Sequence, residues 1–424
     1  MSVFAQARAP RSRYLKPILS SVAIVGVGAL LLSACATTPT EEVPAGPQQD
    51  LTLSLGTLIP QTGELAFLGP PQEAGVQLAV KEINDAAMGI TIDLTLGDSG
   101  DPDNKAYATT TPLLLNAGVS AIIGVAASGV TKLVIDQITG AGTLLISPSA
   151  TAPDLTAWDD DGLFWRTAPS DLLQGEVAGN LIAADGAKTL GIIALNDAYG
   201  TGLQESTAAT FEAAGGTVVA TEFFNSGDTT FTAQIAAVLA QNPDAIQVVS
   251  FDQANTIIPA LKNAGFDTSK LYLVDGNTVQ YGDLLPADTM TGTKGTYPGP
   301  ALEDDFRTRL VDTYAETNNG AVLEDFVYAG ESYDAVVLVA LAALAAQSTD
   351  GKDIASKMQE VSGGSGEGEK ATDFASAATI INDGGTVDYD GYSGAITFDE
   401  NGDPTEAAVG IFQFDAANNF VRIN

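Results

Sequence analysis

From Leu51 onward, short apolar runs alternate with stretches in which apolar residues recur every three or four positions. "LTLSLGTLI" reads as a strand, and in the "PPQEAGVQLAVKEIN" that follows, Val76, Ala79, Val80 and Ile83 share one helical face. The rhythm continues through strand "ITIDLTLGD", a helix over 104–116, strand "VSAIIGV", a helix over 129–139 and strand "TLLIS". It breaks across 148–170, where three prolines, Trp158, Trp165 and the turn "WDDDG" intervene. It then resumes: helix 171–184, "TLGIIAL", helix 200–214, "TVVATEFF", helix 229–240, "DAIQVVSF", helix 254–264 and "KLYLVD". Strands alternating with helices of this length imply parallel β-α-β units and an α/β fold with open, mostly parallel sheets.

Two such arrays separated by an irregular segment predict two similar lobes, each with its own sheet. After "TYPGP" come helices over 302–317, 325–347 and 351–360, then the loop "SGGSGEGEK" and two strand candidates, "GAITFDENGD" and "AAVGIFQFD". Chain crossings near 167–170, 296–300 and 396–405 divide the sequence into 51–168 with 298–396 as lobe 1, and 169–297 with 397–424 as lobe 2. The roughly 375 residues involved exceed what one hydrophobic core usually serves.

The first 34 residues follow a different plan. Arg8, Arg11, Arg13 and Lys16 make a basic head, Ile18 to Leu32 is apolar apart from two serines, and small residues lead to Cys35, the single cysteine of the chain. This is the layout of a secretory signal with its cleavage site, and the apolar run is shorter than the ~20 residues a spanning helix needs. One thiol forms no intrachain disulfide. "LSAC" is similar to the bacterial lipobox, which implies cleavage before Cys35, acylation of its sulfur and anchorage to the cell membrane. Residues 35–50, rich in Thr, Pro, Glu and Gln, read as a flexible tether.

Charge and missing side chains exclude several classes of function. The chain carries 53 acidic and 18 basic residues, no histidine and a formal charge of −35, which disfavours nucleic acid and anionic lipid headgroups as partners. Without histidine there is no Ser-His-Asp or Cys-His nucleophile and no imidazole ligand for a metal. No phosphate-binding glycine loop follows a strand, and nothing calls for a cofactor. Asp399, Asn401 and Asp403 have the spacing of a calcium loop, but Pro404 stands where that loop needs glycine, so an acidic turn is the better reading.

What remains is a set of hydroxyls at strand ends. "AIIGVAASGVTKL" places Ser128 where a helix should begin, with Ala126 just before it, and "LLISPSATAPDL" places Ser149 and Thr151 in the loop after a strand. Open parallel sheets bind ligands beyond their carboxyl ends, where hydroxyls and helix N-termini suit a carboxylate. Capping and turn formation explain the same residues equally well.

The chain from about Leu51 to its end resembles the type I periplasmic binding proteins, in particular the leucine/isoleucine/valine-binding family of branched-chain amino acid ABC transporters. The resemblance rests on "GTLIPQTGELAFLGPPQEAGVQLAVKEIN", "AIIGVAASGVTKL", "LLISPSATAPDL", "NDAYGTGL" and "YDGYSGAITFDENGDP". It implies two Rossmann-like lobes joined by a three-crossover hinge, closing on a small aliphatic amino acid or related amide. It assigns Ser128, Ser149 and Thr151, beside Ala126, to the ligand carboxylate and Asp275 to its ammonium, with Asp252 a neighbouring acid. Phe251 and Tyr328 would supply rings, and Leu68, next to Phe67, stands where the family usually has one. A cysteine pair found in some relatives is replaced by Ala371 and Ala377. The resemblance further implies a monomeric, non-catalytic lipoprotein outside the cytoplasm that delivers its ligand to an ABC permease and ATPase. Two other readings are a sensor signalling to a regulator or kinase and an extracytoplasmic hydrolase.

Overall fold

The computed structural model describes residues 50–366 and 368–424. The first array runs β1 (Leu51–Leu58), α1 (Gly69–Ala86), β2 (Ile90–Thr95), α2 (Tyr107–Ala117), β3 (Ala121–Gly124), α3 (Ser128–Gly140), β4 (Leu144–Ser147) and β5 (Phe164–Arg166). Its strands pair in the order β2-β1-β3-β4-β5, all parallel. The second array runs α4 (Asp171–Ala184), β6 (Thr189–Leu195), α5 (Ala198–Ala213), β7 (Thr217–Phe224), α6 (Thr232–Leu239), β8 (Ala245–Val249), α7 (Ala254–Asn263), β9 (Leu271–Leu273) and β10 (Lys294–Pro298). Next come α8 (Asp304–Thr317), α9 (Ala329–Ala346), α10 (Gly351–Val361), β11 (Glu369–Ala371), α11 (Phe374–Asn382), β12 (Val387–Gly391) and β13 (Gly394–Ala395), then β14 (Val409–Phe414) and β15 (Phe420–Arg422).

The second sheet has the order β15-β14-β10-β9-β8-β6-β7, with β14 antiparallel to both β10 and β15. The chain thus leaves the first sheet after β5, returns after β10 and leaves again after β13, near the crossings that the sequence predicts. Side-chain alternation along the buried strands serves two cores at once. Ile122 and Leu145 join the cluster that continues into the second array, whereas Ala121, Ile123, Leu144 and Ile146 face the cluster built around α1 and α9. Helix α9 packs on α1 and on β1, β3 and β4. It is long and apolar enough to cross a membrane, yet 89% of it is buried inside the protein, as befits a core helix.

Four features depart from the sequence pattern. Strand β5 lies in the segment whose pattern is irregular, because three residues are too few to show a period. Strand β10 occupies part of the expected 296–300 crossing. The segment from Glu369 to Gly391 folds as β11, α11 and β12, forming with β13 a small third sheet that the pattern does not anticipate. "GAITFDENGD" contributes only Gly394–Ala395 and a single bridge between Phe398 and Pro404. Its remainder is turn, because Asp399 Oδ1 accepts from the N–H groups of Asn401 (2.8 Å) and Asp403 (3.0 Å).

Candidate ligand cleft

On the first-sheet side, the loop after β4 is fixed by its own backbone. The Ser147 hydroxyl donates to the Val125 carbonyl at 2.7 Å and accepts from the N–H groups of Ser149 (3.3 Å) and Ala150 (2.8 Å). Ser128 Oγ, at the start of α3, accepts from Ala152 N at 3.1 Å. Arg166, fully buried at the end of β5, donates to the carbonyls of Ala150 (3.2 Å) and Ala152 (2.9 Å) and through Nε to Asp403 Oδ1 (2.6 Å). With the backbone so held, the hydroxyls of Ser149 and Thr151 are buried and make no hydrogen bond of good geometry among the described residues, although Thr151 lies close enough to Asp171 to act on its charge. Buried polar groups are seldom left so, and each such orphan costs about 1–3 kcal/mol.

Facing them are two carboxylates. Asp275, just beyond β9, accepts from Tyr199 Oη at Oδ1 and from Tyr328 Oη at Oδ2, each at 2.7 Å. Asp171, the first residue of α4, donates its N–H to the Thr151 carbonyl at 2.8 Å, while both of its carboxylate oxygens are buried without a partner. Burial, and then the nearby Asp275 carboxylate, push Asp171 well above the usual carboxylate range; Thr151 and Arg166 offset only part of this. Burial also raises Asp275, against the two tyrosine donors. A cation between these acids would relieve both. The ring of Phe251 stacks on Tyr199, centroids 5.3 Å apart.

The structure brings most of the expected residues together. Ser149, Thr151, Asp171, Asp275, Tyr199 and Tyr328 are all buried, and Ser128 and Ala126 are buried beside the loop. Leu68 is a core residue in the same cluster as Ala126, Phe251 and Tyr328, and Phe67 packs against that cluster from a half-buried position. Asp252 stands apart: it is exposed at the rim, where its N–H reaches the Glu64 carbonyl at 3.4 Å. Sequence reasoning missed Asp171, Tyr199 and Arg166. Tyr199 lies within the quoted "NDAYGTGL", and Asp171 resembles any acid in a first helical turn. Cys35, residues 1–34 and residues 35–49 of the tether lie outside the described residues.

The two arrays touch across the cleft. Glu64 accepts from Ser226 Oγ at 3.1 Å and from Gly227 N at 2.6 Å. Leu65, Ala127 and Val130 face Leu195, Asp197 and Phe251 around a cavity of about 270 Å³. Three points of approach are glycines. A Cβ on Gly129 would lie 2.8 Å from Asp197 Oδ2, one on Gly202 would lie 2.5 Å from Pro153 Cδ, and one on Gly227 would lie 2.6 Å from Asp103 Oδ2.

A two-sheet fold whose strand ends enclose buried, unpartnered polar groups defines a cleft-binding protein. The periplasmic binding protein family matches residues 52–418, and the chain belongs to that family. That family is one of periplasmic, hence extracytoplasmic, binding proteins. A leucine-, isoleucine-, valine-, threonine- and alanine-binding protein of Pseudomonas aeruginosa is 28% identical over 296 residues, 68% of this chain and 77% of that one. A Leu/Ile/Val-binding protein homologue of Brucella suis is 30% identical over 321 residues, 73% of this chain and 82% of that one. A branched-chain amino acid transporter substrate binding protein from Streptococcus pneumoniae, solved with isoleucine, superposes with a TM-score of 0.69 at 25% identity. That match covers 88% of this chain and all of the other. A leucine binding protein from Thermotoga maritima has the same fold, with a TM-score of 0.71 at 22% identity over 88% of this chain and 98% of that one.

Proposed function

We propose that this protein is the substrate-binding lipoprotein of an ABC importer and holds a small aliphatic amino acid between its two halves. The supporting observation is the opposition of unpartnered hydroxyls, Ser149 and Thr151, to a buried pair of acids, Asp171 and Asp275. Hydroxyls and the N–H groups at the start of α3 suit a carboxylate; two acids suit an ammonium. An amino acid carries both groups on one carbon, and the apolar Leu68 and Phe251 suit an aliphatic side chain. The Leu/Ile/Val-binding relatives support the same ligand class.

In this reading 51–168 with 298–396 and 169–297 with 397–424 are the two moving bodies, and the crossings between the sheets are the hinge. The ligand carboxylate docks on the first body, and closure brings Asp275 and the rings of Tyr199 and Phe251 over the ammonium and side chain. A ligand drives closure only by its differential affinity for the closed form. The closed monomer then presents the amino acid to a permease and its ATPase, held at the membrane by acylated Cys35.

Isothermal titration of unfolded and refolded protein against an amino-acid panel tests the ligand. One-to-one binding of leucine, isoleucine or valine is expected, and no binding by any amino acid overturns the reading. Detergent partitioning tests the anchor: wild type should enter the detergent phase, and Cys35→Ala should not.

A further inference from the structure

Tyr328 also lines a second cavity of about 270 Å³. Its walls come from the second sheet, the second crossing and the segments around α8 and α9: Tyr297 at the end of β10, Phe412 and Phe420 on β14 and β15, and Phe326 before α9. Tyr297 stacks on Phe412 with centroids 4.0 Å apart. Two cations enter this aromatic box. Arg422 lies over Phe412, 5.9 Å from its centroid; it donates to the Gly299 carbonyl at 3.0 Å and through Nε to Asn424, which leaves Nη2 for an occupant. Arg307 lies over Phe326 at 5.2 Å.

The pairing of these arginines is unusual for so acidic a chain. The described residues contain four arginines. Arg166 and Arg309 are matched to carboxylates, whereas Arg307 and Arg422 have no ion pair among the described residues, and both line this one cavity. The acid that does face it, Glu331 in the first turn of α9, is 4% exposed and pushed up to about 8 by burial, so it is largely uncharged near pH 7. In that protonated form it does not neutralise the arginines, although the buried Asp325 carboxylate lies near Arg307. Planar guanidinium groups present paired donors that match a carboxylate, and the stacked rings supply an apolar wall for the rest of the molecule.

We propose that this hinge cavity is a second binding site, for a small monocarboxylate with an apolar body, and that its occupancy is linked to closure of the amino-acid cleft. The link follows from position. The cavity spans the crossing at Gly299, where the backbone has a φ of +108°, and it shares Tyr328 with the cleft, whose hydroxyl holds Asp275. A molecule gripped by Arg422 on β15 and Arg307 on α8, which belong to different moving bodies in the proposed reading, is sensitive to the angle between them. Linkage is reciprocal, so the carboxylate and the amino acid must change each other's affinity by the same factor.

The probe is 4-fluorophenylacetate, followed by fluorine NMR, with and without a saturating amino acid from the calorimetric panel. Wild type should bind it in both conditions, with affinities differing by about fivefold or more, the usual scale of coupling. The double substitution Arg307→Gln/Arg422→Gln should weaken the probe by at least about tenfold, the worth of a charge-assisted hydrogen bond, and leave amino-acid affinity measured without the probe unchanged. Arg307→Gln alone, a change to an exposed side chain, should act in the same direction if the double variant folds poorly. Complete displacement of the probe by the amino acid places it in the cleft and overturns the proposal. So does unaltered probe binding by the variants, and identical probe affinity with and without the amino acid overturns the linkage. If no amino acid binds at all, the cleft reading fails, while probe binding by wild type and its loss in the variants still report on the hinge cavity.

Discussion

The hydroxyl of Tyr328 donates to Oδ2 of Asp275 across 2.7 Å, joining the residue before α9 to a carboxylate two residues beyond β9. Tyr328 adopts a left-handed backbone (φ 62°), uncommon for an aromatic residue and of a kind that clusters at ligand sites and switches. Burial raises the tyrosine well above its usual range, so it remains a donor throughout the physiological pH range. Tyr328→Phe should keep the packing and remove one charge-assisted hydrogen bond, worth about 1.5–3 kcal/mol. Calorimetry should show amino-acid affinity falling roughly tenfold or more, and the melting temperature should fall as well, because the bond is already made without ligand. Unaltered affinity would mean that this contact does not orient the carboxylate.

Asp171 is the sharper test of charge. If an ammonium lies between Asp171 and Asp275, each acid contributes, and removing one partner of a buried pair costs about 3–5 kcal/mol. Asp171→Asn and Asp275→Asn should each weaken amino-acid binding at least a hundredfold. Without ligand, Asp171→Asn should raise thermal stability at pH 7, because it removes a buried carboxyl group without a hydrogen-bond partner whose ionised form burial and Asp275 disfavour. A variant that binds normally sinks the role given to Asp171.

The three hydroxyls of the first sheet are not equivalent. Thr151 Oγ1 has no hydrogen-bond partner of good geometry, so Thr151→Ala should not lower stability, should raise it if the orphan is costly, and should weaken binding by roughly tenfold. Ser128 Oγ already accepts from Ala152 N, so Ser128→Ala should also lower stability, by about 1 kcal/mol, by releasing the loop. Denaturant unfolding of both variants, beside a calorimetric double-mutant cycle, separates the roles. Strictly additive binding losses would show that the two hydroxyls do not share one ligand group.

Much of this site is legible in the sequence alone. Ser128, Ser149 and Thr151 sit where the end of an apolar strand and the start of a periodic helix put them, and those boundaries fall at Gly124, Ser128 and Ser147. Asp171 is not legible there, because an acid in a first helical turn is ordinarily explained by the helix dipole. Only the fold, which brings it beside Thr151 and Asp275 and gives its oxygens no partner, sets it apart. Arg166 is hidden for a related reason: its grip on the Ala150 and Ala152 carbonyls and on Asp403 depends on a three-residue strand in a proline-rich segment and a turn far along the chain. Periodicity reports elements long enough to repeat. It is silent on the short strand, the turn and the buried ion pair that fix a loop.

Closure should depend on pH. Asp197 and Asp252 are each pushed up to about 6, first by burial and then by the Glu64 carboxylate of the opposite array, with Asp154 adding to Asp197 and Asp101 to Asp252. The influences of Glu64, Asp154 and Asp101 come from across the cleft and belong to the closed arrangement, so in a window below about 6 the closed form binds protons that an open form releases. Falling pH through that window favours closure, and rising pH opposes it, with little further change outside it. A two-unit shift at Asp197 corresponds to at most about 3 kcal/mol. Exposed Asp252 adds only a fraction, because solvent screens it. Small-angle scattering of the unliganded protein should show a smaller radius of gyration at pH 5 than at pH 8, and Asp197→Asn should flatten the difference. Equal radii, or expansion at the lower pH, would contradict it.

Gly202 separates the stability of a helix from the closure of the cleft. It lies inside α5, where glycine costs about 1 kcal/mol relative to alanine, so Gly202→Ala should stabilise the unliganded protein by roughly that amount. Across the cleft, a Cβ at this position would lie 2.5 Å from the Pro153 ring, which has no flexible end to swing aside. The substitution should therefore oppose closure while leaving every group at the Ser149–Asp275 site in place. The expected result is a higher melting temperature without ligand, weaker amino-acid binding, and a faster off-rate with little change in on-rate, since the ligand docks on the first array before the lobes meet. If Gly202→Ala raises the melting temperature and binds as tightly as wild type, the contact between Pro153 and α5 is not part of the ligand-bound form, and the closure geometry inferred from it is wrong.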